Sequence, residues 1–517
     1  MASSVELDVP ATANRGVMSV FAGLMLGMFV TSLNLTLVAP AMPVIVSELG
    51  GLDHYSWIAL SSMLASTVVV PIVGKLSDLY GRKPFYMGGM LAFMLGSALA
   101  GLAPSFGFLV AARVLTGIGM GTIMPLSQAI IGDIIPPRER GKYQGLIGSV
   151  FGLASIVGPV LGSLITRHLS WRWLFFVNVP VGLMTLTAVS LFMRLPHEKR
   201  PHIIDLPGIA TLTSALTCLL LATEMGGGTF PWGSPQIVGL YSLAALLFVL
   251  FVRLEQIAPE PVVPLALWVN PTFVRSNIAV MGVSTGMFGA IYFVPIFVQG
   301  VIGKSTTSSG TILVPLMLTM VTTSIAGGRL ISATGRYKAM VLVGLICLGT
   351  GFWLLAQMDV HTPNLIVIRN LATIGIGIGL TSQTFVLIVQ NSVTREELGV
   401  ATATTQLFRS IGAAAGIALM GGLMTQGLRT ALPRYLSPQL AATLALPKQV
   451  ISAAALLDPH RAAHLPTAAL VGIRAALAET LHAVYLAPLP FMIAALAVAL
   501  FIPENPLRRT AHVSLRR

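Results

Sequence analysis

Long apolar stretches alternate with short polar stretches along almost the whole chain. A helix needs about 20 predominantly apolar residues to cross the hydrocarbon of a bilayer. Fourteen stretches reach this length, and the pattern therefore predicts an all-α protein with fourteen membrane-spanning helices. Their predicted ranges are 17–40, 57–77, 85–103, 106–131, 143–166, 173–193, 208–226, 236–254, 276–300, 309–332, 339–357, 364–390, 399–424 and 480–502.

Composition excludes a soluble protein. Charged residues make up 9% of the chain, against about 25% in ordinary soluble domains. Hydrophobic residues make up 55%, and the mean hydropathy is +0.84. So little charge cannot keep a surface in water, and the chain is predicted to lie in a lipid bilayer. Cys218 and Cys347 both lie in apolar stretches, which argues against a disulfide framework.

The net charge of +13 reflects membrane orientation. In a soluble protein this excess would suggest a nucleic-acid partner. Here 20 of the 31 Lys and Arg residues fall in the tails and loops on the side of both termini, and 8 fall on the other side. Cytoplasmic loops are enriched in Lys and Arg. We therefore predict no nucleic-acid partner, both termini in the cytoplasm and residence in the cell (inner) membrane.

Two short patterns occur twice in the same order. Residues 74–83 and 328–337, which are 254 positions apart, share the pattern G-[KR]-L-x-x-x-x-G-R. A second pair, around Arg113 and Arg369, matches 256 positions apart. The first six and last six helices are therefore interpreted as copies with the same orientation, an architecture that places the substrate site of secondary transporters between the copies.

The repeat defines the predicted regions of the chain. They are a tail over 1–16, a six-helix bundle over 17–193, a loop with two inserted helices over 194–275, a second six-helix bundle over 276–502 and a tail over 503–517. The second bundle contains the longest predicted outer loop, 425–477.

The first copy carries the most specific motif. Residues 74–84 read G-K-L-S-D-L-Y-G-R-K-P, which closely resembles the signature between helices two and three of the major facilitator superfamily. The resemblance implies a gating contact in which Asp78 faces the start of helix thirteen near 397–401 and Arg82 pairs with Asp133. The gating residues that it implies are Gly74, Asp78, Gly81, Arg82, Lys83 and Asp133.

Two further motifs narrow the resemblance. Helix five contains Gly158, Pro159 and Gly162, in a pattern similar to the superfamily's antiporter signature; proline and small residues favour a bent, closely packed helix. Helix six opens with W-R-W-L-F-F-V-N-V-P-V-G at 171–182, which resembles the fourteen-helix drug:proton antiporters of the EmrB/QacA type. The resemblance covers 17–502 and implies protons as the coupling ion.

Helix one departs from the antiporter pattern. Asn34 stands where those antiporters carry an aspartate, and Glu224, near the outer end of helix seven, is the one acid that is not clearly in a loop, a tail or at the cytoplasmic interface. Arg113 is expected to lie in the middle of helix four without an acidic partner, so its charge should be met by backbone carbonyls, Gln128, water or the substrate. We predict translocation or coupling roles for these four residues.

Polar residues in the second bundle leave two interpretations open. Gln299, Gln383, Gln406 and Arg409 can line a cavity or join helices through hydrogen bonds. No site is favoured in the central loop, where the spacing of His197, His202 and Asp205 is only loosely metal-like. A solvated linker is the preferred interpretation of those three residues, and no metal site is predicted.

These patterns favour a transporter over an enzyme. The predicted function is a secondary active exporter of small amphipathic molecules, which uses alternating access and proton antiport, needs no cofactor and works as a monomer. The chain has no G-x-x-x-x-G-K-[ST] sequence for binding a nucleotide. An exporter of a lipid or a natural product with weak or atypical proton coupling is the alternative. A polytopic membrane enzyme is disfavoured, because no cluster of acids or histidines stands out.

Overall fold

The computed structural model describes residues 11–38, 41–50, 57–193, 203–227, 229–302, 306–435, 467–504 and 507. Apart from one isolated bridge between Gly226 and Phe230, the described residues form helices and their connections. Fourteen helical segments in these ranges are long and apolar enough to cross a membrane. The predicted fold class, an all-α polytopic membrane protein with fourteen spanning helices, is confirmed.

The helices are numbered along the chain. Those of the first part are α1 Ala11–Leu37, α2 Met42–Leu49, α3 Trp57–Tyr80, α4 Arg82–Gly101, α5 Phe106–Ile134, α6 Pro137–His168, α7 Trp173–Phe176 and α8 Asn178–Phe192. Two long helices follow, α9 Leu206–Met225 and α10 Pro235–Glu255. The last part has α11 Ala266–Val269, α12 Pro271–Ile296 with a π-helix at Phe297–Val301, α13 Thr306–Thr334, α14 Lys338–Ala356, α15 Asn364–Ser392, α16 Leu398–Tyr435, α17 Thr467–Leu486 and α18 Leu489–Leu500.

Several helices are longer than hydrophobicity alone predicts. α6 begins at Pro137 rather than at 143, and α16 continues to Tyr435 rather than to 424. The last membrane span begins at Leu470 rather than at 480. The predicted ranges follow the apolar stretches, but a helix can extend past the hydrocarbon because long charged side chains reach water from its ends. The predicted loop 425–477 is therefore too long; its residues 436–466 lie outside the described ranges.

The chain forms two compact units. Unit 1 consists of Met1–Pro136, Leu153–Ile204 and Thr394–Ala403, and unit 2 consists of Pro137–Gly152, Asp205–Val393 and Thr404–Arg517. Each unit therefore takes most of its helices from one repeat and a short segment from the other. The first part of α6 belongs to unit 2, and the first turns of α16 belong to unit 1.

Small residues bring the helices of each unit close together. In unit 1, a Cβ atom at Gly117 or Gly121 of α5 would collide with the backbone of α3. In unit 2, a Cβ atom at Gly375 or Gly379 of α15 would collide with the backbone of α13. The two units thus use the same device at related positions, close helix packing through glycine.

Candidate functional site

A cluster of buried charges lies at the junction of α3 and α4. Gly81 connects the two helices with φ +93°, a conformation that L side chains rarely adopt. Arg82 Nη2 lies 2.9 Å from Asp78 Oδ1, and Arg82 Nε pairs with Asp133 Oδ2 at the end of α5. All three side chains are buried: Arg82 is 8% exposed, Asp78 is 6% exposed and Asp133 is 9% exposed. Asp78, Arg82 and Asp133 are called the charge cluster below.

The charge cluster holds the beginning of α16. Asp78 accepts hydrogen bonds from the backbone N–H groups of Gly399 at 3.2 Å and Val400 at 2.8 Å. These are first-turn N–H groups, which have no partner within their own helix, and a carboxylate also favours the positive end of the helix dipole. A Cβ atom at Gly74 would collide with Ala403, so glycine is needed for this approach. Both contacts predicted from the resemblance, those of Asp78 and Arg82, are confirmed.

Lys83 lies beside the cluster but contacts another helix. Its Nζ donates to the carbonyl oxygens of Ser190 at 2.8 Å and Met193 at 2.9 Å, at the end of α8. A cation at this position satisfies carbonyl groups that the helix itself leaves unpaired. Lys83 thus anchors α8, while Arg395 Nε approaches the cluster at 3.9 Å from Asp133 Oδ1.

A second buried charge, Arg113, is held by neutral acceptors. Arg113 is 2% exposed. Its Nε donates to the carbonyl oxygen of Ile58 at 2.9 Å, its Nη1 to Asn34 Oδ1 at 2.6 Å and its Nη2 to Ser62 Oγ at 2.9 Å. The guanidinium also lies 5.8 Å from the centre of the Phe175 ring. The sequence-based expectation that Asn34 leaves Arg113 without a carboxylate partner holds for the described residues.

The expected position of Arg113 is wrong, whereas one of the expected partners, a backbone carbonyl, is confirmed. The residue is not in the middle of its helix, because α5 begins at Phe106, about two turns away. The Arg113 guanidinium donates to the carbonyl oxygen of Ile58, which is the second residue of α3. Gln128 does not meet this charge, because it lies 15 residues further along α5, or about 22 Å.

The sequence profile of the Major Facilitator Superfamily matches residues 24–417 of the chain. The chain belongs to the major facilitator superfamily. The structure of the superfamily's proton:xylose symporter XylE, bound to 6-bromo-6-deoxy-D-glucose, has the same fold, with a TM-score of 0.62, 12% identity and coverage of 95% of this chain and 97% of XylE.

Two bacterial members of the superfamily are similar along most of their length. The multidrug transporter protein MdtP of Bacillus subtilis (strain 168) is 41% identical over 435 residues, which cover 84% of this chain and 80% of MdtP. Multidrug resistance protein 3 of the same organism is 35% identical over 419 residues, which cover 81% of this chain and 82% of that protein.

The antiporter-like motif of α6 packs against α1. A Cβ atom at Gly158 would collide with the Thr36 side chain, and one at Gly162 would collide with the carbonyl oxygen of Leu37. Thr36 Oγ1 donates across the same contact to the carbonyl oxygen of Ala154 at 3.1 Å. Pro159 is exposed beside them. In this member of the superfamily the glycines therefore allow α6 to approach α1 closely.

A contact that sequence reasoning missed fixes α2. Trp171 Nε1 donates to Glu48 Oε2 at 2.7 Å, and Arg172 Nη2 lies 2.8 Å from Glu48 Oε1. The Arg172 guanidinium stacks 4.4 Å from the centre of the Trp171 ring. The W-R-W motif stands out in the sequence, whereas its acidic partner does not. An acid in a short apolar helix after the first span is the available signal.

The other residues predicted in the second bundle lie in unit 2. Arg409 Nη2 donates to the carbonyl oxygen of Ser382 at 2.8 Å, which favours the interpretation that it joins helices. Gln299 lies in the π-helix, Gln406 is half-buried in α16, and Gln383 lines a small pocket in unit 2.

Glu224 lies apart from these residues, in the last turn of α9. Its carboxylate is half-buried and interacts electrostatically with Tyr292 of α12. Among the described residues, no three His, Cys, Asp or Glu side chains come together as metal ligands. Asp205 caps α9 through the N–H of Gly208 at 2.9 Å, while His197 and His202 lie outside the described ranges.

Proposed function

We propose that the protein is a secondary active exporter that moves small amphipathic molecules out of the cell by alternating access. The observation that carries this proposal is the contact between the charge cluster and the start of α16. It joins a helix of the first repeat to a helix of the second through hydrogen bonds that water can replace. The names of the relatives MdtP and multidrug resistance protein 3 supply the substrate class.

The contact suits a gate because it can open without breaking a helix. When α16 leaves α3, water hydrates Asp78 and the N–H groups of Gly399 and Val400, so the groups stay hydrogen-bonded in either state. The turn before α16 is held independently of this contact, since Glu397 Oε2 accepts from Thr394 Oγ1 at 2.9 Å and from the Thr394 backbone N–H at 3.3 Å. In the proposed orientation, with both termini in the cytoplasm, this gate closes the cytoplasmic side.

Proton antiport is part of the proposal, and it needs a titratable group other than residue 34. An asparagine amide does not take up a proton in the physiological range. Glu224 is our candidate, because its carboxylate is half-buried and receives no salt bridge from any described residue.

Transport into vesicles tests the function. Purified protein in liposomes, with an imposed pH gradient, should transport an amphipathic dye at a rate that collapses when the gradient is dissipated. Liposomes with the Asp78→Asn variant should show little uptake under the same gradient. Equal uptake in protein-free, wild-type and variant liposomes would contradict the export function.

A second candidate is an exporter of a lipid or natural product with weak or atypical coupling. The neutral partners of Arg113 favour it, because a buried cation without a carboxylate suits a substrate with a polar or anionic group. The same liposomes separate the two candidates when they are given a fluorescent lipid as well as a dye. Gradient-independent movement of the lipid, without dye uptake, would support the second candidate.

A further inference from the structure

A small polar pocket in unit 2 is lined by two buried glutamines. Gln144 comes from the first part of α6, and Gln383 comes from α15. Both residues are buried, with 2% and 7% exposure respectively. Ser324 of α13 and Thr384 of α15 also line the pocket. The pocket thus combines groups from three helices.

Both glutamines present an amide oxygen without a donor. Neither Gln144 Oε1 nor Gln383 Oε1 accepts a hydrogen bond from any described residue. The Nε2 group of Gln144 is used, since it donates to Gln390 Oε1 at 3.3 Å. A buried acceptor that lacks a donor destabilises the folded state, because it has lost its hydrogen bonds to water.

The helices around the pocket are already packed closely. A Cβ atom at Gly141 would lie 2.9 Å from the carbonyl oxygen of Gly328, and one at Gly145 would lie 2.5 Å from that of Ser324. The backbones of α6 and α13 are therefore already in close contact, and no further approach can close the pocket. The space that remains has about the size of one water molecule.

We propose that this pocket is a binding site for a single water molecule, which donates one hydrogen bond to Gln144 Oε1 and one to Gln383 Oε1. Water fills buried sites that offer two to four polar partners and enough room. One water has two donors, which matches the two orphaned acceptors. The site is complete only while the first part of α6 packs against α13 and α15, so the bound water is a component of that packing.

The melting temperature of the full-length protein in detergent tests the proposal, because a hydrated and a dry pocket predict changes of opposite sign. If the pocket is hydrated, Gln383→Met removes an acceptor of the water and lowers the apparent melting temperature by about 1–3 °C. If the pocket is dry, the same change removes an unsatisfied oxygen and raises the melting temperature. The double variant Gln144→Met with Gln383→Met should lose less than the sum of the single variants, because it removes both acceptors. A raised or unchanged melting temperature for Gln383→Met, or additive losses, would overturn the proposal.

Gln390→Met is the matched control for the bond between Gln144 and Gln390. The Gln144→Met change is therefore also measured in the Gln390→Met background, where that bond is already absent. The lowering caused by Gln144→Met should persist there, because the water site does not use Gln390. Its complete disappearance would assign the effect to the bond and overturn the water site.

X-ray hydroxyl-radical labelling in ¹⁸O-water gives a direct readout. A bound water generates radicals in place, so the pocket-lining residues Ile331 and Leu387 should incorporate ¹⁸O in the wild type and lose at least half of that label in Gln383→Met. Leu348, which is fully buried in α14, serves as the reference and should stay unlabelled. Absence of label at Ile331 and Leu387 in the wild type would overturn the proposal, whatever the protein transports.

Discussion

The two copies of the repeated stretch hold the neighbouring helix by opposite means. In unit 1 the charged residue is an acid at the end of a helix: Asp78 of α3 accepts hydrogen bonds from N–H groups at the start of α16. In unit 2 the charged residue is a base at the start of a helix: Arg138 of α6 donates to the carbonyl oxygens of Ser332 at 3.2 Å and Ala333 at 3.0 Å, at the end of α13. Ser332 stands at the repeat position of Asp78 and accepts from the backbone N–H of Lys142 at 2.8 Å.

The two repeats also differ in how deeply their matching arginines are buried. Arg82 is buried between two carboxylates, whereas its repeat counterpart, Arg336, is exposed. Val389 replaces Asp133 in the second copy, and Ser332 replaces Asp78. A buried cation is stable only with compensating partners. The loss of both carboxylates and the exposure of the arginine therefore belong together.

The arginines of the second repeated pattern show the same contrast. Arg113 is enclosed by Ile58, Asn34 and Ser62, whereas Arg369 is exposed and donates to the adjacent Asn370 Oδ1 at 3.1 Å and 3.0 Å. The repeat thus preserves the residue type but not its surroundings. We infer that the charge-sensitive steps of transport depend on the first repeat, and each second-repeat residue offers a matched control.

Arg113→Ala should have the largest effect and abolish dye transport. The change leaves Asn34 Oδ1 and the carbonyl oxygen of Ile58 buried without their donor, which costs about 1–3 kcal/mol for each group. Arg369→Ala removes an exposed arginine, and its effect on stability should stay within about 0.5 kcal/mol, with transport within about twofold of wild type. Dye transport per amount of membrane-inserted protein is the measurement, and equal losses in the two variants would break the comparison.

Asp78→Asn should reduce transport by at least about tenfold. Removing one partner from a buried ion pair costs about 3–5 kcal/mol, because the remaining charge is left buried. Ser332→Ala removes two neutral hydrogen bonds, one from the Lys142 N–H at 2.8 Å and one to the Glu139 carbonyl oxygen at 3.4 Å, each worth about 1 kcal/mol at most, and should reduce transport by less than about fivefold. Transport rates and membrane insertion are compared for both variants. If Ser332→Ala were as damaging as Asp78→Asn, the charge cluster would have no special role.

The amino-acid sequence predicts those contacts for which it contains a recognisable signature. The contacts of Asp78 and Arg82 follow from the resemblance of residues 74–84 to the superfamily's signature, although Asp78 meets residues more than 320 positions away. The Glu48 contact also joins residues far apart in the chain, but no signature links Glu48 to its partners, and the contact depends on how α2 folds back. The pocket of Gln144 and Gln383 likewise depends on packing between α6 and α15. Hydrophobicity marks a spanning helix but carries no information on which faces meet.

The sequence also does not fix where a residue lies along its helix. An apolar stretch taken as a unit puts Arg113 in mid-helix and makes Gln128 a possible partner. The structure separates them because the partners of Arg113 come from other helices at its own level, Asn34 of α1 and Ile58 of α3. A run of apolar residues shows only that a helix is present. The partners of a buried charge lie on neighbouring helices, which the run of apolar residues does not identify.

Glu224→Gln should remove the response of transport to a pH gradient and leave gradient-independent transport largely intact. The inserted helices would then supply the titratable group that neither repeat offers near Arg113. Glu479→Gln is the control, because Glu479 is an exposed acid that lies 3.0 Å from Arg434. Transport rates are measured with and without the gradient in both variants. A full pH response in Glu224→Gln would assign coupling to another group.

Asn34→Asp should have the smallest effect, although it changes a residue fully buried against Arg113. Asn34 Oδ1 already accepts from Arg113 Nη1, and a carboxylate would keep that hydrogen bond and add a charge pair. The change would also remove the Asn34 Nδ2 group, which donates to no described residue. We therefore expect transport of a neutral dye within about threefold of wild type, since a well-paired buried charge is tolerated, and a shift of preference towards a cationic dye.

Asn34→Leu is the matched control for that variant, because it has a similar volume and no acceptor for Arg113. It leaves one end of the guanidinium without a partner, and it should lose most transport of both dyes. Uptake of the neutral and the cationic dye is measured in the two variants, with membrane-inserted protein as the reference. If Asn34→Leu transports like wild type, the hydrogen bond to Arg113 is dispensable. The difference in burial between Arg113 and Arg369 would then affect the packing of the helices but not transport.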